Sequence, residues 1–97
     1  MQSMMEHIVS DPEIVFGKPR IAGTRITVRD IVINHLRNGM PLELIAADFD
    51  VPLAGVYAAM TYYYDHKNEI DRSIEEGNRF VEEFKNRYDS TANQKFA

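Results

Sequence analysis

Between His7 and Val28 the apolar residues come in short clusters cut by turns. Ile8-Val9 precedes Asp11-Pro12, Ile14-Val15-Phe16 precedes Gly17-Lys18-Pro19, and Arg20-Ile21 precedes "AGTR" and Ile26. Pro12 keeps Asp11 out of helical space, and each cluster is too short for a helix, so the pattern predicts two or three short strands. Two such strands are not stable alone in water. They must pair with each other on the helices, or with the same strands of a second chain.

From Thr27 the period changes to that of a helix. Thr27 is a good N-cap and Asp30 stands where its carboxylate can answer the cap's amide. Val28, Ile31, Val32 and Leu36 then share one face, and Gly39 ends the helix. Pro41 suits the first turn of a second helix, with Leu42, Ile45, Ala46 and Phe49 on one side. A third helix starts near Pro52 or Leu53, with Leu53, Val56, Tyr57, Met60 and Tyr64 as its buried stripe and Ala54, Gly55, Ala58, Thr61, Tyr62 and Asp65 facing outward. Three short helices with tight joints are what a helix-turn-helix unit requires.

Asn68, with Asp71 three residues on, predicts a fourth helix. Its apolar residues Ile70, Ile74, Gly77, Val81, Phe84 and Tyr88 recur at alternating spacings of four and three, a heptad seam too short for a self-sufficient coiled coil. The first half of this seam is expected to complete the core and the second half to face a partner, with Phe80 widening the apolar side. Residues 89–97 carry no periodicity and read as a disordered tail. The expected organisation is thus a β element over 1–27, a helix-turn-helix core over 28–66, a C-terminal helix over 67–88 and the tail. Together these make a single, mainly α domain.

Charge divides the chain. The net charge is −4, yet residues 1–40 sum to +1 and residues 41–97 to −5. Lys18, Arg20, Arg25 and Arg29 cluster between two Gly-bearing turns against one acid, Asp30. These cations, with Thr61 and Tyr62 on the third helix, are the candidates for contact with nucleic acid. A structural reading competes: Arg25 braces its turn, and Arg20 and Arg29 pair with nearby carboxylates. In the run Tyr62-Tyr63-Tyr64 the rings point about 100° apart on a helix and cannot form one stacking platform, so core packing is favoured for Tyr64. The third helix carries no Lys or Arg between Leu53 and His66, although base reading in a major groove usually uses Arg, Lys, Asn or Gln.

Other chemistries find no support. His7, His35 and His66 lack metal-site spacing, and no cofactor motif or catalytic constellation occurs, so a non-enzymatic protein without cofactor or metal is expected. The absence of cysteine fits a reducing cytoplasm. No stretch reaches the about 20 apolar residues of a membrane span, and the N-terminus does not resemble a secretory signal.

The run Gly17-Lys18-Pro19-Arg20-Ile21, followed by Gly23-Thr24-Arg25-Ile26 and Val28, resembles the signature of the domain of unknown function 433 family. The stretch "NGMPLELIAADFDVPLAGVYAAMTYYYDH" is similar to its helix-turn-helix portion. The resemblance covers residues 7 to 75 and implies a small homeodomain-like helix-turn-helix protein. Many such proteins are encoded beside a PIN-like ribonuclease toxin and are regarded as the antitoxin. It therefore implies a non-enzymatic antitoxin of a cognate toxin, with autoregulatory binding of double-stranded DNA as a further expectation. The heptad seam adds the expectation that the toxin docks on the C-terminal helix. Ile74, Gly77, Arg79, Phe80, Val81, Phe84, Arg87 and Tyr88 are the candidate partner-binding residues. Unpaired strands and the wide apolar helix face suggest a homodimer. A stand-alone DNA-binding regulator and a non-DNA-binding interaction module remain as alternatives.

Overall fold

The computed structural model describes residues 7–96, with side chains as far as Arg87. Strand β1 (Ile8–Val9) pairs antiparallel with β2 (Arg20–Ile21), Ile8 opposite Ile21 and Val9 opposite Arg20, so the strands find each other within one chain. Beyond β2 the chain folds back, and Ile21 N donates to Ile26 O at 2.8 Å. Thr24 cinches this turn: its Oγ1 donates to Ile21 O at 2.8 Å and accepts from Ile26 N at 3.0 Å. Gly23, at φ 79°, supplies the left-handed residue the turn requires.

Helix α1 (Val28–Val32) opens on the expected capping box. Thr27 Oγ1 accepts from Asp30 N at 3.1 Å and Asp30 Oδ2 accepts from Thr27 N at 3.0 Å, an arrangement worth about 1 kcal/mol. The helix then widens into a π-helical turn over Ile33–Arg37, closed by Asn38 N on Ile33 O. Leu36, expected on the buried face, is exposed instead, because the extra residue in a π turn rotates the later side chains away from the α-helical phase. Gly39 reverses the chain at φ 74°.

Helix α2 (Leu42–Phe49) takes Pro41 as its N-cap and ends on Asp50 in the left-handed region. Helix α3 (Leu53–Asp65) packs against α1, α2 and both strands. Its buried side is Gly55, Val56, Ala58, Ala59, Met60 and Tyr63, which corrects the stripe expected from the sequence. Val56 and Met60 are buried as expected, but Leu53, Tyr57 and Tyr64 lie in solvent and Tyr63 is the buried tyrosine. The physical reason is close approach. A Cβ on Gly55 would sit 2.9 Å from Ile21 Cγ2, so small residues, not large ones, mark the face that meets β2.

Helix α4 (Lys67–Phe96) follows α3 after a single non-helical residue, His66. Asn68 lies inside α4 and does not cap it, since the His66 carbonyl already accepts from Ile70 N. Ile70 and Ile74 enter the core beside Val28, Ile31, Ile45 and Val56. A polar clasp holds the joint: Tyr63 Oη donates to Asp71 Oδ1 at 2.8 Å and Lys67 Nζ pairs with Asp71 Oδ2 at 2.9 Å. Lys67 first, then the Tyr63 hydroxyl, hold the Asp71 carboxyl below its ordinary range. Burial, ahead of the bond to Asp71, pushes the Tyr63 phenol up. The apolar repeat stops at Tyr88, yet the helix runs on to Phe96 through a stretch with neither Gly nor Pro to end it. Among the described residues no helix is long and apolar enough to cross a membrane. The architecture is mainly helical, with a short N-terminal sheet and a long C-terminal helix, as the sequence predicts.

Candidate functional site: a cationic groove and an uncovered helix face

Two surfaces collect the chemistry. The first is an open groove of about 510 Å³ between the N-terminal turns and the start of α1, lined by Lys18, Arg25 and Arg29 together with Phe16, Glu13 and Asp30. A smaller hollow of about 190 Å³ adjoins it through Phe16, Lys18, Thr27 and Arg29, and is walled by Glu69, Ile70 and Ser73 of α4. Arg29 bridges the two elements, with Nη1 donating to Ser73 O at 3.4 Å. Of the two groove carboxylates, Asp30 is engaged in the cap of α1, while Glu13 is exposed.

Three of the four clustered cations therefore meet in one place. The fourth does not. Arg20 is only 8% exposed, and its Nη1 donates to Thr24 O at 3.1 Å, bracing the Gly-Thr-Arg turn from inside. It performs the bracing role that the sequence suggests for Arg25, whereas Arg25 is exposed on the groove.

Thr61 and Tyr62 line neither hollow. Thr61 Oγ1 donates back to Tyr57 O at 3.1 Å, and the Tyr62 ring stacks on His66 at 4.0 Å between centroids. The solvent side of α3 is Leu53, Tyr57 and Tyr64, and Tyr57 Oη ties it to Glu43 of α2 at 3.2 Å.

Phe16 is the groove residue that the sequence pattern hides, since a Phe in an apolar triplet reads as core. It is 94% exposed. The turn that carries it is internally bonded: Asp11 Oδ1 accepts from Glu13 N at 2.9 Å, Ile14 N donates to Asp11 O at 2.9 Å and Gly17 N to Ile14 O at 3.1 Å. Val15 at φ 44° and Phe16 at φ 59° both occupy the left-handed region, which costs a side-chain-bearing residue about 1–2 kcal/mol each. The ring is held in solvent by an ordered, strained turn.

The second surface is α4 beyond the body. Ile74, a candidate partner contact by sequence, is 2% exposed and belongs to the chain's own core. Gly77 lies over Arg29, whose Nη1 would be 3.2 Å from a Cβ there. One turn further on no described residue covers the seam, and Phe80, Val81 and Phe84 are 69%, 59% and 62% exposed. Arg79 and Arg87 are exposed on the same stretch. Tyr88 lies outside the residues whose side chains are described. No group of His, Cys, Asp and Glu that could hold a metal occurs among the described residues.

No curated protein matches the chain. A crystal structure of a DUF433 member protein from Anabaena variabilis ATCC 29413 is similar, at 27% sequence identity and a TM-score of 0.65, over 74% of this chain and 71% of that one. The family model described as "Protein of unknown function (DUF433)" matches residues 8–63, from β1 to the C-terminal part of α3. With more than half of its length matched, this chain belongs to the DUF433 family.

Proposed function

We propose that this protein is a non-enzymatic antitoxin that neutralises a PIN-like ribonuclease by laying the outer part of α4 into a groove of the toxin. The observation that carries this reading is the uncovered seam: Val81 and Phe84, with Phe80 beside them, continue the line of Ile70 and Ile74 after the domain that buries those two has ended. An amphipathic helix with its apolar face in water is the usual form of a helix-in-groove ligand. Burying a Phe side chain contributes about 1.5–3 kcal/mol, so two of them dominate such a contact. Of the two cations on this stretch, Arg79 lies on the far side of the helix from the seam, whereas Arg87 borders Phe80 and is the one placed to reach an acidic, metal-binding nuclease site. The family resemblance implies the same role.

The test is co-expression with the toxin encoded beside the gene, using Phe80→Ser/Phe84→Ser. Because both rings are exposed in the free chain, the variant should unfold at an unchanged urea midpoint, while co-purification and growth rescue are lost. A truncation should come after Asn78 and not Asn68, since removing Ile70 and Ile74 would take core residues with the partner surface. Full rescue by the double variant would refute the docking role of α4.

A second reading is an interaction module that keeps the helix-turn-helix shape without reading duplex DNA through it. The solvent side of α3 favours this, with Leu53, Tyr57 and Tyr64 outward and no cation between Leu53 and His66. It predicts no sequence-specific binding to the gene's own promoter, even at low salt.

A further inference from the structure

Phe16, Lys18 and Arg25 lie outside α4, the element proposed to grip a partner. The ring is the most exposed of the described large apolar side chains, it projects from a hydrogen-bonded turn, and two consecutive left-handed residues keep it there. A loop without a task for the ring would relax by turning it onto the body. Lys18, Arg25 and Arg29 line the same groove. A bare aromatic face suits a flat ligand, and three cations along one groove suit a repeating anion.

We propose that this groove binds single-stranded nucleic acid, with an unpaired base stacked on Phe16 and the flanking phosphates on Lys18, Arg25 and Arg29. Duplex DNA fits less well, because its bases are already stacked on both faces and admitting the ring costs the energy of unstacking them. The helix pair α2 and α3, which would have to enter a duplex groove, has carboxylates at Glu43, Asp48, Asp50 and Asp65 and no Lys or Arg. Glu13 and Asp30 also line the groove and Glu69 walls the adjoining hollow, so these carboxylates lower the affinity, although Asp30 Oδ2 is engaged by Thr27 N in the helix cap.

Fluorescence anisotropy on the full chain tests this, with labelled oligouridylate and oligothymidylate of about twelve nucleotides, and a labelled mixed-sequence DNA duplex of the same length. Three phosphate contacts give a log–log salt slope of about −2 for a single strand, so affinity should fall about twentyfold between about 50 and 200 mM salt. Phe16→Ala should weaken single-strand binding about five- to a hundredfold at an unchanged slope. Arg25→Ala should make the slope shallower by about 0.7. Since Phe16 is exposed and strained, the melting temperature of Phe16→Ala should not fall, which keeps a loss of binding distinct from a loss of fold. Three results would overturn the proposal: no single-strand binding at low salt, equal or tighter binding of the duplex, or less than a twofold effect of Phe16→Ala. If Phe16→Ala instead abolished toxin co-purification and left oligonucleotide binding untouched, the ring would belong to a protein contact and the proposal would fall.

Discussion

The close approach of α3 to β2 can be tested through one methyl group. In Gly55→Ala the new Cβ would stand 2.9 Å from Ile21 Cγ2 and 3.7 Å from Ile21 Cδ1. Ile21 is 2% exposed, so its side chain is enclosed by the core and cannot turn out into solvent. Overpacking of this kind costs about 1–3 kcal/mol. Against that stands the helical preference of Ala over Gly, at most about 1 kcal/mol and less here, because Gly55 lies in the first turn of α3. The net expectation is a loss of about 1 kcal/mol, read as a lower urea midpoint at constant m. Ile21→Leu removes the offending Cγ2 at equal volume. In that background Gly55→Ala should cost less, giving a coupling of at least about 0.5 kcal/mol in a double-mutant cycle. A gain in stability from Gly55→Ala alone, or no coupling with Ile21→Leu, would refute the claim that the missing Cβ is what lets helix and strand meet.

The contrasting case is Gly77→Ala. Its Cβ would meet only Arg29 Nη1, at 3.2 Å, and that group's bond to Ser73 O, at 3.4 Å, is long enough to yield. Helix preference should therefore win, raising stability by about 0.5 kcal/mol; a fall in the midpoint would mean that Arg29 is firmly fixed. Tyr63→Phe should cost about 1 kcal/mol at neutral pH, a charge-assisted bond discounted for the partly exposed carboxylate. Asp71 titrates below its ordinary value in the fold, so its contribution is fully present above the unfolded carboxyl range near pH 4 and is lost as pH falls through the lowered folded value. The Tyr63→Phe penalty should shrink as pH falls below the unfolded carboxyl value of about 4, and a penalty unchanged at low pH would show that the clasp does not depend on the carboxylate's charge.

How much of this could be read from the residues depended on the range of each interaction. The Thr27–Asp30 box and the turn at Gly39 are local, and the sequence carries both. The heptad seam of α4 is also local, and its division into a core half and an uncovered half is set by where the rest of the domain ends. The phase of α3 was not legible, because Gly55, Ala58 and Ala59 have little hydrophobic weight and become the buried face only when β2 and α1 are in place. Leu53, Tyr57 and Tyr64 look like core until those neighbours take the other side. In the candidate groove the cations were visible as a cluster, but Arg20 and Arg25 exchanged roles once the Gly-Thr-Arg turn closed. The Arg29–Ser73 contact spans 44 positions, and no local pattern announces it. Phe16 was hidden for the opposite reason, since its composition says core and only the backbone around it says solvent.

The point at Gly77 where α4 leaves the body has a consequence for the lifetime of the protein. Up to Ile74 the helix cannot open without breaking the core, so a protease meets it only as often as the whole domain unfolds. Past Gly77 no tertiary packing from the described residues holds the backbone closed, and individual turns can fray while the body stays intact. Cleavage there would remove the seam of Phe80, Val81 and Phe84 while leaving the packed body intact. The half-life of the intact chain is then set by its least supported turns and not by the stability of its body.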